Sequence, residues 1–120
     1  DVVADVLAET AAQVRDVLDA GVDPGCVVVD PGLGFSLSAS QSWRIVEDMG
    51  RLRSLGYPVL VGASRKRFLA TGPGVGRDRD RVTAEITRRA VEAGMWAVRV
   101  HEVAPSAAIV RAGVAGKERA

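Results

Sequence analysis

Tyr57-Pro-Val-Leu-Val-Gly-Ala-Ser-Arg-Lys-Arg67 is a short apolar run that stops abruptly at a small-residue turn loaded with cations. Val59, Leu60 and Val61 carry no polar alternation, the pattern of a strand covered on both faces in a parallel sheet. Chemistry is expected where that strand ends. Gly62 has no Cβ and lets the backbone approach a bound group. Ser64 is placed to N-cap a helix running into Arg67-Phe-Leu, whose free N–H groups, with Arg65 and Lys66 beside them, would favour an anion. The plain alternative is a solvated basic helix start.

Outward from this stretch, apolar periodicity organises the rest. Val3, Leu7, Ala11, Val14 and Leu18 are spaced for one face of a helix that Gly21 stops. Asp23-Pro24-Gly25 reads as a turn, and Cys26-Val-Val-Val29 as an apolar strand ending at Asp30-Pro31-Gly32. A polar loop leads into a helix predicted over 42–55, with Ile45, Val46, Met49 and Leu52 inward and Gly56 at its end. Residues 71–77 have the Gly and Pro density of a loop, and the alternating charges of 77–81 suggest a solvated face. A helix from about Arg81 turns Val82, Ile86, Ala90 and Val91 inward and ends at Gly94. Trp96-Ala-Val-Arg-Val100 makes a third strand, and Pro105 opens a last helix that is expected to fray near Gly113.

Gly21, Gly56 and Gly94 each end a helix just before an apolar strand, at intervals of 35 and 38 residues. A strand with its crossover helix needs about 30 residues or more, so this is the period of βα units in a parallel sheet. The unusual polar residues follow the strands: Asp30, then Ser64-Arg65-Lys66, then Arg99 and His101. Ligands of open α/β sheets and βα barrels sit at those carboxyl ends.

Composition narrows the function. The 120 residues suit one domain spanning 1–120, and 16 Lys and Arg against 15 Asp and Glu leave a net charge of +1, with no global field toward nucleic acid or a membrane surface. Phe35, Trp43, Tyr57, Phe68 and Trp96 are too scattered for a base-stacking platform, so no nucleic-acid partner is expected. Cys26, the one cysteine, reads as a small core residue in a reducing compartment. No stretch has the length and apolarity of a membrane span, and no signal peptide opens the chain, making a cytoplasmic location the default. The chain starts at Asp1 directly in helical pattern, as if cut from something longer.

The two carboxylate oxygens of Asp30 match a ligand edge with two parallel N–H donors, such as the amide-amidine edge of a pterin or guanine. Asp-Pro-Gly is also a common turn. Lys66 offers a point charge to a carbonyl or phosphate oxygen, while Arg99 offers a planar guanidinium that stacks on a heterocycle or forks a phosphate. Arg99 and His101 are two residues apart and share one side of a strand. A lone His at a strand end is most simply a satisfied hydrogen-bonder, but beside Arg99 it points to an anion site.

Val29-Asp-Pro-Gly-Leu-Gly-Phe35, Pro58-Val-Leu-Val-Gly-Ala-Ser-Arg-Lys-Arg-Phe68 and Val98-Arg-Val-His-Glu-Val103 resemble, in order and spacing, the last three strand-end motifs of dihydropteroate synthase. The resemblance implies an α/β fold that is part of a (β/α)8 TIM barrel, about strands six to eight with their helices. It also implies a transferase of folate biosynthesis, joining 6-hydroxymethyl-dihydropterin pyrophosphate to p-aminobenzoate. Position by position, Asp30 would hold the pterin N–H edge and Lys66 its carbonyl and ring nitrogen side. Arg99 would lie against the ring near the pyrophosphate, and His101 would contact the pyrophosphate. Ser64 and Arg65, with Phe35 nearby, would form the p-aminobenzoate side, and Gly62 would let the ligand approach. Lys66, Arg99 and His101 would carry the chemistry.

In the family the C–O bond to pyrophosphate loosens first, and the aryl amine captures a cation-like pterin methylene. A departing anion of this kind needs preorganised positive charge more than a base. Magnesium is implied for the complete enzyme, with no ligand for it in this chain, as is a homodimer. The family's amino-terminal loops are absent, so turnover by this chain alone is not expected. Leu37 stands where the family usually has lysine, and Ser42 where it has asparagine, a change expected to remove a loop-fixing hydrogen bond. Arg81 and Val82 replace small residues at the start of the penultimate helix and are expected to repack the back of the site. Two other readings stand beside this one: a related methyltetrahydrofolate-type methyltransferase, and a non-catalytic paralogue or remnant acting as an assembly module through open sheet edges.

Overall fold

The computed structural model describes residues 1–119, with side chains described through Gly116. Helix α1 spans Val2–Asp19, and the Asp1 carboxylate caps it by accepting from the Val3 and Ala4 N–H groups. Its buried face is Val3, Val6, Thr10 and Val14, which leaves Leu7 and Leu18 only half-buried at its margin. Helix α2, Ala39–Glu47, begins three residues before the predicted helix start. The cause is a capping box: Ser38 Oγ accepts from Gln41 N–H while Gln41 Oε1 accepts from Ser38 N–H. The predicted continuous helix over 42–55 is corrected at Asp48, after which Met49–Leu55 continues as a 3-10 segment. Gly50 lies two residues past the break, and glycine is the costliest ordinary residue in a helix interior. The inward face is as expected, with Ile45, Val46, Met49 and Leu52 all buried.

The sheet is parallel and small. Strand β1, Leu60–Val61, pairs with β2, Ala97–Val98, and Val29 joins through one parallel bridge to Val59, so β1 is central. The first predicted strand shrinks to that bridge. Asp23 Oδ1 accepts from Gly25 N–H and winds Pro24–Cys26 into a 3-10 turn, which leaves Cys26 exposed and not in the core. Val28 is 43% exposed, so nothing among the described residues covers that side of the chain. The third strand is likewise shorter than predicted, although Arg99 N–H still donates to Val61 C=O and continues the ladder.

Helix α3, Arg79–Glu92, starts at Asp78, whose side chain accepts from the Asp80 and Arg81 N–H groups. Val82, Ile86 and Ala90 are buried as predicted, joined by Thr83 and Thr87, while Val91 is half-buried. The alternating charges of 77–81 are exposed apart from a half-buried Asp80, and two are engaged: Arg77 pairs with Glu85 and Asp80 with Arg65. Helix α4, Val103–Arg119, does not fray at Gly113. That glycine is a packing position, since a Cβ there would stand 2.3 Å from Val91 Cγ1. The α3–α4 contact also buries a hydroxyl pair, Thr87 Oγ1 to Ser106 Oγ at 2.8 Å. No helix among the described residues is long and apolar enough to cross a membrane.

Candidate functional site at the carboxyl ends of the strands

β1 delivers its chain into Gly62-Ala63-Ser64, and Lys66 N–H donates back to Ala63 C=O to close a turn. Arg65 takes φ of 57°, a left-handed conformation rare for a residue with a Cβ. It is held there from α3: Asp80 accepts two hydrogen bonds from the Arg65 guanidinium, at 3.1 and 3.3 Å, and Arg79 donates to the Arg65 carbonyl. The pairing raises the Arg65 pKa and holds the Asp80 carboxyl below its ordinary range, in both cases chiefly through the shared hydrogen bonds. Beyond the turn, Trp43 anchors the segment Arg67–Ala70. Its Nε1–H donates to the carbonyls of Phe68 and Thr71, and its ring meets Phe68 edge-on at 5.4 Å.

Ser64 is not the predicted N-cap. The helix after it is the four-residue 3-10 segment Arg67–Ala70, which has no side-chain cap, so the expected anion-binding helix start is corrected. Ser64 instead faces β2: its Oγ accepts from His101 N–H at 3.0 Å and lies 2.7 Å from His101 Nδ1.

Asp30 and Arg99 meet across 69 residues of chain. One guanidinium nitrogen of Arg99 donates to Asp30 Oδ2 at 3.2 Å, while Oδ1 accepts from Gly32 N–H in the turn after Val29. Gly62 makes this pairing possible. A Cβ at Gly62 would lie 2.4 Å from Arg99 Nη2, so the group that the glycine admits is the protein's own arginine.

Lys66 lies beside both: its Nζ donates to Leu33 C=O at 2.5 Å and stands 4.5 Å from the centre of the Phe35 ring. Desolvation pulls the Lys66 pKa below the ordinary lysine range, against the opposing pull of Asp30 and with a smaller push from Arg99. The Leu33-Gly34-Phe35 loop is in turn fixed by Ser42. That side chain is fully buried and accepts from Gly34 N–H at 3.1 Å. The expected loss of a loop-fixing bond at Ser42 is therefore corrected, because the serine supplies one. Leu37 is half-buried against the core. At the start of α3, Val82 is buried and Arg81 faces solvent.

The sequence-derived residues thus gather at one end of the sheet in two groups joined by Lys66. Asp30, Gly62 and Arg99 form one, and Ser64 and His101 pair two residues further along their respective segments. Phe35, Arg65 and Lys66 line an open cleft of about 520 Å³ together with Leu37 and Phe68. Sequence reasoning missed Asp80, the clamp on Arg65, and the Leu33 carbonyl that receives Lys66. The alternating charges at 77–81 held the first signal, and the second, a backbone contact, has none.

The fold and site define a parallel βα-repeat protein with a carboxylate, three cations and an imidazole on one rim, suited to a flat hydrogen-bonding heterocycle and an anion. The pterin binding enzyme family matches residues 1–101, and the chain belongs to it. The dihydropteroate synthase of Mycobacterium leprae is 44% identical over 113 residues, which cover 88% of this chain and 40% of that protein. That of Streptococcus pyogenes serotype M1 is 42% identical over 96 residues, 78% of this chain and 36% of that protein. Among solved structures, the Stenotrophomonas maltophilia dihydropteroate synthase with active site-bound imidazole superposes with a TM-score of 0.87 at 30% identity, covering 98% of this chain and 45% of its own. The Thermus thermophilus enzyme in complex with 6HMPPP gives 0.84 at 36% identity, covering 96% and 46%. The chain spans about two-fifths of the length of the curated relatives that it matches.

Proposed function

We propose that residues 1–120 form a single unit of a dihydropteroate synthase, about strands six to eight of a (β/α)8 barrel with their helices. The whole enzyme condenses 6-hydroxymethyl-dihydropterin pyrophosphate with p-aminobenzoate. The observation that carries this reading is the Arg99–Asp30 pair at 3.2 Å, next to a partly desolvated Lys66. The two groups satisfy each other. A pterin exchanges the pair for its own contacts: its N–H edge on Asp30, its carbonyl side on Lys66, its ring under the Arg99 plane.

As the C–O bond breaks, its electron pair leaves with the diphosphate, and the fixed donors of Arg99, His101 and Lys66 stabilise that charge. The amine nitrogen of p-aminobenzoate then bonds to the methylene carbon and loses a proton. The cleft lined by Phe35 and Arg65 supports a small aromatic carboxylate on that side. Magnesium would belong to the complete enzyme. Homodimerisation of the complete enzyme and a cytoplasmic location complete the proposal.

The test is a chimera in which these residues replace the matching part of the Mycobacterium leprae relative, with folding checked by circular dichroism. Substrate-dependent dihydropteroate formation is expected, falling by about a hundredfold or more in K66A and R99A, the scale of losing a preorganised donor to developing charge. A folded chimera that makes no product would sink the proposal.

A further inference from the structure

The Ser64 hydroxyl has one proton and two lone pairs to distribute. It is 8% exposed, and among the described residues its partners are the backbone N–H and the ring Nδ1 of His101. The backbone N–H can only donate, so one lone pair of Oγ is committed. Two arrangements remain for the 2.7 Å contact with Nδ1. If Nδ1 carries a proton and donates, the buried hydroxyl accepts twice and its own proton has no partner. If Oγ–H donates to an unprotonated Nδ1, every group is satisfied. An unpartnered buried donor is the expensive choice, so the second arrangement is favoured.

We propose that Ser64 is a positioning residue that fixes His101 as the neutral tautomer protonated on Nε2, presenting a single N–H donor to an anionic oxygen of a diphosphate. The anion rests on the function proposed above; the tautomer rests on the hydroxyl alone. Three features make the arrangement rigid. Ser64 is held in a turn closed by the Lys66 to Ala63 hydrogen bond. His101 is gripped at both backbone and ring by the same oxygen. Arg99, two residues before it in the chain and just past the end of β2, supplies the neighbouring cation. A tautomer set in advance spares the ring a proton rearrangement when the anion arrives.

His101 is the only histidine in the chain, so its imidazole is read without ambiguity by long-range proton–nitrogen NMR. Spectra taken at mildly alkaline pH are expected to show the Nε2–H form alone. In S64A the two neutral tautomers should mix as in free imidazole, and S64T, which keeps a hydroxyl, should restore the single form. Inorganic pyrophosphate is then titrated in, with a shift of the Nε2 signal expected in the wild-type chain and about three- to tenfold weaker binding in S64A. A wild-type mixture or Nδ1–H form overturns the proposal without any variant having to fold, and so does an S64A ring still locked as Nε2–H. A His101 signal unmoved by saturating pyrophosphate overturns the donor role. Failure of the chimera to make dihydropteroate would leave the tautomer result standing, so the two readings fail separately.

Discussion

Gly62 and Ser42 set the site without being able to touch a substrate through a reactive group. At Gly62 the obstacle to any larger residue is the far end of the Arg99 side chain, which can swing away, and not backbone. Gly62→Ala is therefore expected to leave the unfolding midpoint nearly unchanged while breaking the Arg99–Asp30 pair, as read by a crystal structure or by guanidinium NMR signals. A variant that keeps the pair at its present distance would show that the glycine is not what admits the arginine. Ser42→Ala removes the buried acceptor of the solvent-edge Gly34 N–H, and a cost of about 0.5–1.5 kcal/mol in urea unfolding is expected. Because that loop supplies the Leu33 carbonyl to Lys66, a change below about half a kcal/mol would contradict the role given to Ser42.

Elements were legible where periodicity reports burial and illegible where a side chain chose its partner across the chain. Ile45, Val46, Met49 and Leu52 declared the inner face of their segment, yet nothing in that pattern marks the change to 3-10 geometry after Asp48. Ser38 and Gln41 did carry a start signal in their spacing. Ser64 looked like a cap because serine usually is one before a helix; its bond to His101, 37 residues away, exists only once β1 and β2 are paired. The convergence of Asp30, Lys66 and Arg99 was readable because parallel strands put every carboxyl end on one side.

The start of α3 serves two purposes, and both are testable. Asp78→Ala removes an N-cap and is expected to cost about 1 kcal/mol by thermal or urea unfolding. Asp80→Asn unpairs Arg65. Because the Asp80 pKa is depressed in the folded chain, its contribution is present above the unfolded value of about 3.9 and is lost as pH falls through the lower folded value. The difference in unfolding midpoint between wild type and Asp80→Asn should thus be seen at neutral pH and close on acidification. A difference that persists at low pH would assign it to packing instead.

At the scale of the whole molecule, β1 is central between β2 and the Val29 bridge, and both flanks of the sheet are open among the described residues. Val28 on one flank is 43% exposed and Trp96 on the other 63%, and a net charge of +1 gives little repulsion between copies. The isolated chain is expected to associate in sedimentation as concentration rises, and less so in Trp96→Lys; a compact monomer at all concentrations would count against an incomplete barrel. Association concerns the edges, whereas function concerns the rim where three charged side chains are to share one ligand. That is tested most directly by calorimetric titration of 6-hydroxymethyl-dihydropterin pyrophosphate into the chimera and its D30N, K66A and R99A forms. Each substitution is expected to weaken binding about tenfold or more, the loss of a charge-assisted hydrogen bond. Unchanged affinity in any two of the three, with folding intact, would contradict their convergence on a single molecule.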